Sequence, residues 1–186
     1  MWSRENIAVR WLRLAAAFAV AASVAACFQP LYGEQSVAGG PGVRDALAGV
    51  EIVPISAPNG SRAARLAVEL QNALAFRLTG GGPRTPTTHR LDIKLSTSTS
   101  QVIVDVQTAR PEIANYGIDV AYTLVDIATN KPTLTGTAFA RVSVDIPGQQ
   151  QRFAQTRGLR DAEDRAARVI AEQIQSRLAS YFVAPG

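Results

Sequence analysis

Apolar and polar residues alternate along the middle of the chain, and this pattern predicts β-strands with one buried face. The alternating stretches are residues 91–96, 102–106, 118–124 and 134–146, and a short β-type run covers residues 50–55. The first two stretches form either one long strand over residues 91–108 or two shorter strands. The turn residues Ala128–Pro132 join the last two stretches, which are therefore expected to be antiparallel neighbours.

Two other stretches carry apolar residues at three- and four-residue spacing, which predicts amphipathic helices. The first covers residues 62–78, with Ser61 as its N-cap and the Gly-rich residues 80–83 as its end. The second covers about residues 159–182 and follows a polar loop over residues 147–156. We therefore predict an α+β fold, a two-layer sandwich in which two amphipathic helices pack on one face of a mostly antiparallel four-stranded sheet.

Charged residues on the two predicted helices fall into two groups. Arg62 and Arg65 occupy the first turn of the first helix, where the helix dipole disfavours positive charge. They either meet an anion or point into water at a small cost, and the second interpretation is favoured. In the second helix the oppositely charged pairs at four-residue spacing are Asp161–Arg165, Asp164–Arg168 and Arg168–Glu172, all expected on the solvent side.

The N-terminal 27 residues have the pattern of a bacterial lipoprotein signal. Three arginines precede the apolar run Leu14–Ala26, which as a helix would span roughly 20 Å, short of the ~30 Å core of a bilayer. Val24-Ala-Ala-Cys27 resembles a lipobox, so residues 1–26 are predicted to be removed and Cys27 to carry covalent lipid such as palmitate. The alternative is an ordinary cleaved signal that leaves Cys27 as a free thiol.

The composition of residues 27–186 predicts two parts and argues against nucleic-acid binding. We expect residues 27–45 to form an acylated cysteine and flexible tether, and residues 46–186 to form a single domain. The whole chain has a formal net charge of +4, but the signal segment accounts for about half of it. No basic tract with interleaved aromatic residues points to nucleic acid.

No residue pattern predicts catalysis. His89 is the only histidine and lies at a predicted strand start, where a surface role is expected. No cluster of residues has metal-ligand spacing or the arrangement of a nucleophile with its base. We therefore predict that the protein is not an enzyme and binds no cofactor. Three cations remain as candidates for partner contact: Arg90 and Lys94, which share a strand face with Asp92, and Lys131 at a turn tip.

The order of motifs resembles the alphaproteobacterial form of the LPS-assembly lipoprotein family LptE. The segments that carry the resemblance are Cys27-Phe-Gln-Pro-Leu-Tyr-Gly33, Tyr122-Thr-Leu-Val-Asp126 and Arg160–Arg168 with the helix end at Tyr181-Phe182. The chain departs from the family in lacking its usual Gly after the cysteine. The resemblance implies a non-enzymatic lipoprotein, anchored in the outer membrane and facing the periplasm and a barrel lumen. It would plug and help assemble the β-barrel LptD and assist insertion of lipopolysaccharide, with Arg90, Lys94 and Lys131 as candidate contacts.

Two other functions compete with this one. The first is an auxiliary lipoprotein of an ABC-type lipid or solute transport system in the periplasm. The second is a periplasmic enzyme, which the missing nucleophile and base disfavour.

Overall fold

A computed structural model describes residues 42–82, 85–104, 111–145 and 152–183. In chain order the elements are α1 (Val43–Ala48), β1 (Val50–Ile52), α2 (Arg62–Thr79), β2 (His89–Val104), β3 (Pro111–Asp126), β4 (Lys131–Asp145) and α3 (Arg152–Val183). The signal segment, Cys27 and the rest of residues 1–41 lie outside the described residues.

The four strands form one open, mixed sheet in the order β1-β2-β3-β4. The short strand β1 pairs parallel to the start of β2, and α2 lies between them in the chain, as the crossover between parallel strands requires. Strands β2, β3 and β4 pair antiparallel over almost their full lengths. A four-residue turn joins β3 to β4, and Asn130 adopts a left-handed conformation there (φ 53°).

The two long helices form where the sequence supplies both a buried stripe and end signals. The Ser61 hydroxyl accepts the backbone N–H of Ala64 at 3.1 Å and caps α2, and Gly80 ends it in the left-handed region. The fully buried stripes are Leu66, Leu70, Leu74 and Leu78 on α2 and Ala162, Ala166, Ile170, Ile174 and Leu178 on α3. Arg65 near the start of α2 contacts Asp164 of α3, and Arg77 near the end of α2 contacts Gln175 further along α3. The two helices therefore run parallel.

These helices cover one face of the sheet, which we call the covered face. Its strand residues Leu91, Ile118 and Leu124 are fully buried and belong to the same apolar cluster as the helix stripes. The opposite face, which we call the open face, carries the intervening strand residues and no packed helix among the described residues. The predicted α+β sandwich is confirmed.

Several details differ from the sequence prediction. The chain has a third helix, α1, which was not predicted and whose Val43 and Leu47 are buried. Helix α3 begins at Arg152, so the last part of the predicted polar loop is helical. Of the two alternatives left open for residues 91–108, the structure has one continuous strand as far as Val104, and residues 105–110 lie outside the described residues.

Candidate interaction surface

The open face is polar and spans three strands. Its residues are Arg90, Asp92, Lys94, Ser96 and Ser98 on β2, Asn115, Gly117, Asp119, Ala121 and Thr123 on β3, and Thr135, Thr137, Phe139, Arg141 and Ser143 on β4. Because side chains of a strand alternate between faces, this composition follows directly from the polar half of each alternating stretch. A sheet face of this kind needs water or a polar partner surface against it.

The centre of the open face is organised around Arg141. Its guanidinium donates to Asp119 Oδ1 at 2.7 Å and to the Ile118 carbonyl at 3.2 Å, and it lies 5.7 Å from the centre of the Phe139 ring. Gly117 leaves room for it, since a Cβ at that position would lie 3.0 Å from Arg141 Nε. The Arg141 side chain therefore lies flat across the sheet and holds Phe139, which is 60% exposed, in place.

A shallow depression of about 400 Å³ lies beside this cluster. Lys94, Ser96, Asp119, Thr137 and Phe139 line it. It combines one cation, one anion already paired with Arg141, two hydroxyl groups and one aromatic ring. Such a set can bind a polar group next to an apolar one, but it has no arrangement for catalysis.

The structure brings together two of the three predicted contact cations. Arg90 and Lys94 lie on the open face of β2, and Arg90 also pairs with Asp92 at 3.6 Å. Lys131 instead aligns with Asp126, whose neighbour on β2 is His89, so it lies at the end of the sheet and apart from the other two. All three side chains are exposed.

The first-turn arginines of α2 meet an anion, so the favoured prediction that they point into water is wrong. The Arg65 guanidinium pairs with the carboxylate of Glu163, which is 1% exposed, and with Asp164 at 3.1 Å. Arg62 Nε lies 3.7 Å from the other oxygen of Glu163. Because α2 and α3 run parallel, Glu163 places a negative charge from α3 beside the N-terminal turn of α2, where the helix dipole favours it.

This ion-pair cluster lines a groove of about 780 Å³ between the N-terminal parts of α2 and α3. Ion pairs to α2 replace two of the three pairs predicted within α3. Asp161 pairs with Arg165 at 3.0 Å as predicted, whereas Asp164 and Glu172 pair with Arg65 and Arg77 of α2. These ion pairs join two different helices, so residue spacing within one helix could not predict them.

His89 lies at the other end of the molecule and has a structural role. Its ring contacts Phe182 edge-on, with 5.2 Å between ring centres, and its Nδ1 lies 2.9 Å from the Thr88 hydroxyl. Burial lowers the pKa of His89 below 6.5, and the charge of nearby Asp126 offsets part of that shift. The Asp126 pKa is itself lowered, mainly because its carboxylate accepts the Thr129 N–H at 2.8 Å.

Two kinds of feature are absent from the described residues. These residues contain no group of three or more His, Cys, Asp or Glu side chains placed to hold a metal ion. None of their helices combines the length and apolar character that a membrane span requires.

Comparison with known proteins decides the family. The family model LptE, described as lipopolysaccharide-assembly, matches residues 47–178. The chain belongs to the LptE family. This confirms the resemblance seen in the motif order. LptE proteins are non-enzymatic lipopolysaccharide-assembly lipoproteins that carry no cofactor.

Solved structures share the LptE-family fold at low sequence identity. A candidate lipoprotein from Caulobacter crescentus is 21% identical, with a TM-score of 0.57 over 76% of this chain and 96% of that one. The rare lipoprotein B from Shewanella oneidensis is 14% identical, with a TM-score of 0.51 over 72% of this chain and 96% of that one. No curated protein sequence matches this chain.

Proposed function

We propose that this protein is an outer-membrane lipoprotein that plugs the LptD β-barrel, helps it assemble and assists insertion of lipopolysaccharide into the outer leaflet. Membership of the LptE family supports the general role in lipopolysaccharide assembly. The observation that supports the finer role is the open face, a polar sheet surface three strands wide on which none of the described helices packs.

The chemistry of the open face fits the inside of a barrel. The lumen of an outer-membrane barrel is lined by polar side chains, because lipid-facing and lumen-facing residues alternate along its strands. Ser96, Ser98, Thr135 and Thr137 offer hydroxyl groups that both donate and accept hydrogen bonds to such a wall. The Arg141–Asp119 pair on this face would remain paired when the face is docked.

Two cations of the open face suit the phosphate groups of lipopolysaccharide. Lys94 is exposed beside the depression, and Arg90 is about 44% exposed beside Asp92. We propose both as contacts to lipopolysaccharide, and Lys131 as a separate contact at the end of the sheet. Cations in these positions would guide the sugar-phosphate part of the lipid along one side of the plug.

Co-purification tests the barrel partnership. The full chain, tagged at its C-terminus and expressed in its own host, is solubilised from membranes after cross-linking. We expect a heat-modifiable barrel of outer-membrane type to purify with it. Recovery of an inner-membrane permease or a periplasmic substrate-binding protein instead would contradict the barrel role and support the transporter alternative.

The lipid anchor is a second, separable part of the proposal. Cys27 is the only cysteine of the chain, and replacing it with Ser removes the acylation site. We expect the Cys27→Ser chain to fold and to appear in the carbonate-soluble fraction of cells depleted of the barrel. If it stays in the membrane pellet of those cells, covalent lipid is not the main tether.

A further inference from the structure

Gln173 of α3 binds the backbone of β4 at the edge of the sheet. The Phe139 N–H donates to Gln173 Oε1 at 3.2 Å, and Gln173 Nε2 donates to the Phe139 carbonyl at 3.0 Å. Both polar backbone groups of Phe139 therefore point away from β3 and towards the free edge. A side-chain amide has the same donor and acceptor as a peptide group, so Gln173 fills the place of one residue of an added strand.

The edge that Gln173 occupies is long. β4 has 15 residues, and among the described strands it pairs with β3 alone. Backbone groups of an antiparallel strand alternate in direction, so Thr135, Thr137, Arg141 and Ser143 present theirs on the same side as Phe139. An unpaired edge of this length is a template for another strand, and soluble proteins need a device that blocks it.

The sequence of β4 is compatible with its own antiparallel copy. A two-fold axis at Phe139 would place Thr137 opposite Arg141 of the second chain and Thr135 opposite Ser143, so that no like charges meet. It would also bring the two Phe139 rings together, each now 60% exposed. On the helix side of the edge, Val169 lies one turn from Gln173 and is 46% exposed.

We propose that the β4 edge is a pairing surface for β4 of a second copy of this chain, and that Gln173 keeps it closed. In the paired form the Phe139 N–H and carbonyl of each chain bond to those of the other, replacing the two bonds to Gln173. The interface is isologous and closes after two chains. In the normal chain the Gln173 amide binds the Phe139 backbone in preference to a second copy. The amide is already tethered beside the edge, whereas a second copy must be captured from solution. This inference does not depend on the proposed function.

Native mass spectrometry of the full chain purified in detergent tests this proposal, with Gln173→Ala as the main variant. Gln173→Asn is the second variant, because its amide is one methylene shorter and it keeps a polar side chain if Gln173→Ala fails to fold. The matched control is Gln175→Ala, since Gln175 Nε2 donates at 3.1 Å to the Arg77 carbonyl, towards α2 and away from the edge. Hydrogen exchange of the Phe139 amide is measured on the same samples.

We expect both Gln173 variants to dimerise at least tenfold more tightly than the normal chain and the Gln175 control. In the dimer the Phe139 amide should exchange slowly, and in the monomeric variant it should exchange faster than in the normal chain. Monomeric Gln173 variants at every concentration would overturn the proposal. A dimer whose Phe139 amide exchanges as fast as in the monomer would also overturn it, because the chains would then be joined elsewhere.

Discussion

The two faces of the sheet come from the same strands and have opposite roles. On β3, Ile118 and Leu124 are fully buried against the helices, whereas Ala121 between them is exposed on the other face. The covered face concentrates apolar side chains and supplies the stability of the fold. The open face is held by short polar contacts such as Arg141 with Asp119, which contribute little to stability and leave the surface available. The fold and the partner surface of this molecule therefore depend on different residues.

The largest expected contrast between the faces comes from truncating neighbouring residues of β3. Leu124→Ala leaves a cavity in a fully buried site and should lower the free energy of unfolding by about 2–5 kcal/mol. Thr123→Ala, on the open face, should change it by less than about 0.5 kcal/mol. Urea unfolding followed by circular dichroism measures both. Similar losses for the two variants would mean that the open face also carries the fold.

The ion pairs of α3 give the next contrast. Glu163→Ala leaves Arg65 with only Asp164 and should cost about 3 kcal/mol, at the lower end for a broken buried pair because Arg65 is partly exposed. Asp161→Asn removes an exposed pair with Arg165 and should cost less than about 1 kcal/mol. The same urea titrations compare them. A loss below 1 kcal/mol for Glu163→Ala would show that the pair does not join the helices.

Two glycines, one at a packed position and one at an open position, give a smaller expected contrast in stability. A Cβ on Gly136 would lie 2.5 Å from the hydroxyl of Tyr122, so Gly136→Ala should destabilise the fold by about 1–3 kcal/mol through overpacking. Gly158 of α3 has nothing within 4 Å of its Cβ position. Gly158→Ala should therefore stabilise the helix by about 0.5–1 kcal/mol. Thermal unfolding measures both, and shifts of the same sign would contradict the packing argument for Gly136.

The smallest expected effect is the pH dependence contributed by His89. Its folded pKa lies below the unfolded value of 6.5, so the unfolded chain binds the proton more readily. The neutral form contributes stability above pH 6.5, and this contribution is lost as the pH falls through the folded pKa. The normal chain should therefore lose more stability than His89→Gln between pH 7.5 and pH 5. An equal slope for both chains would assign the acid sensitivity to other groups.

The sequence predicts the elements better than the contacts between them. Strict alternation located β4 and its two faces, and Ser61 and Gly80 marked the ends of α2. The short helix α1 was missed because six residues offer too little periodicity, and about the first two turns of α3 were missed because their mostly polar residues resemble a loop. Partners such as Glu163 for Arg65 and Gln173 for Phe139 depend on how the two layers stack, which no spacing within one element encodes.

The candidate surface was predictable only in part. The shared face of Arg90 and Lys94 follows from their two-residue spacing to Asp92. The separation of Lys131 from them depends on the pairing register of three strands, and the Phe139–Arg141 cluster depends on the room that Gly117 leaves. Sequence alternation could have indicated Phe139 as an apolar residue on a polar face, which is a useful signal for a contact surface.

Site-specific photo-cross-linking tests most directly the claim that the open face binds the barrel. A photoreactive amino acid replaces Thr137 on the open face of the full chain, and a matched control carries it at Ser176 on the exposed side of α3. We expect Thr137 to cross-link to a heat-modifiable outer-membrane barrel several-fold more efficiently than Ser176. Cross-linking to the barrel from Ser176 but not from Thr137 would contradict the account.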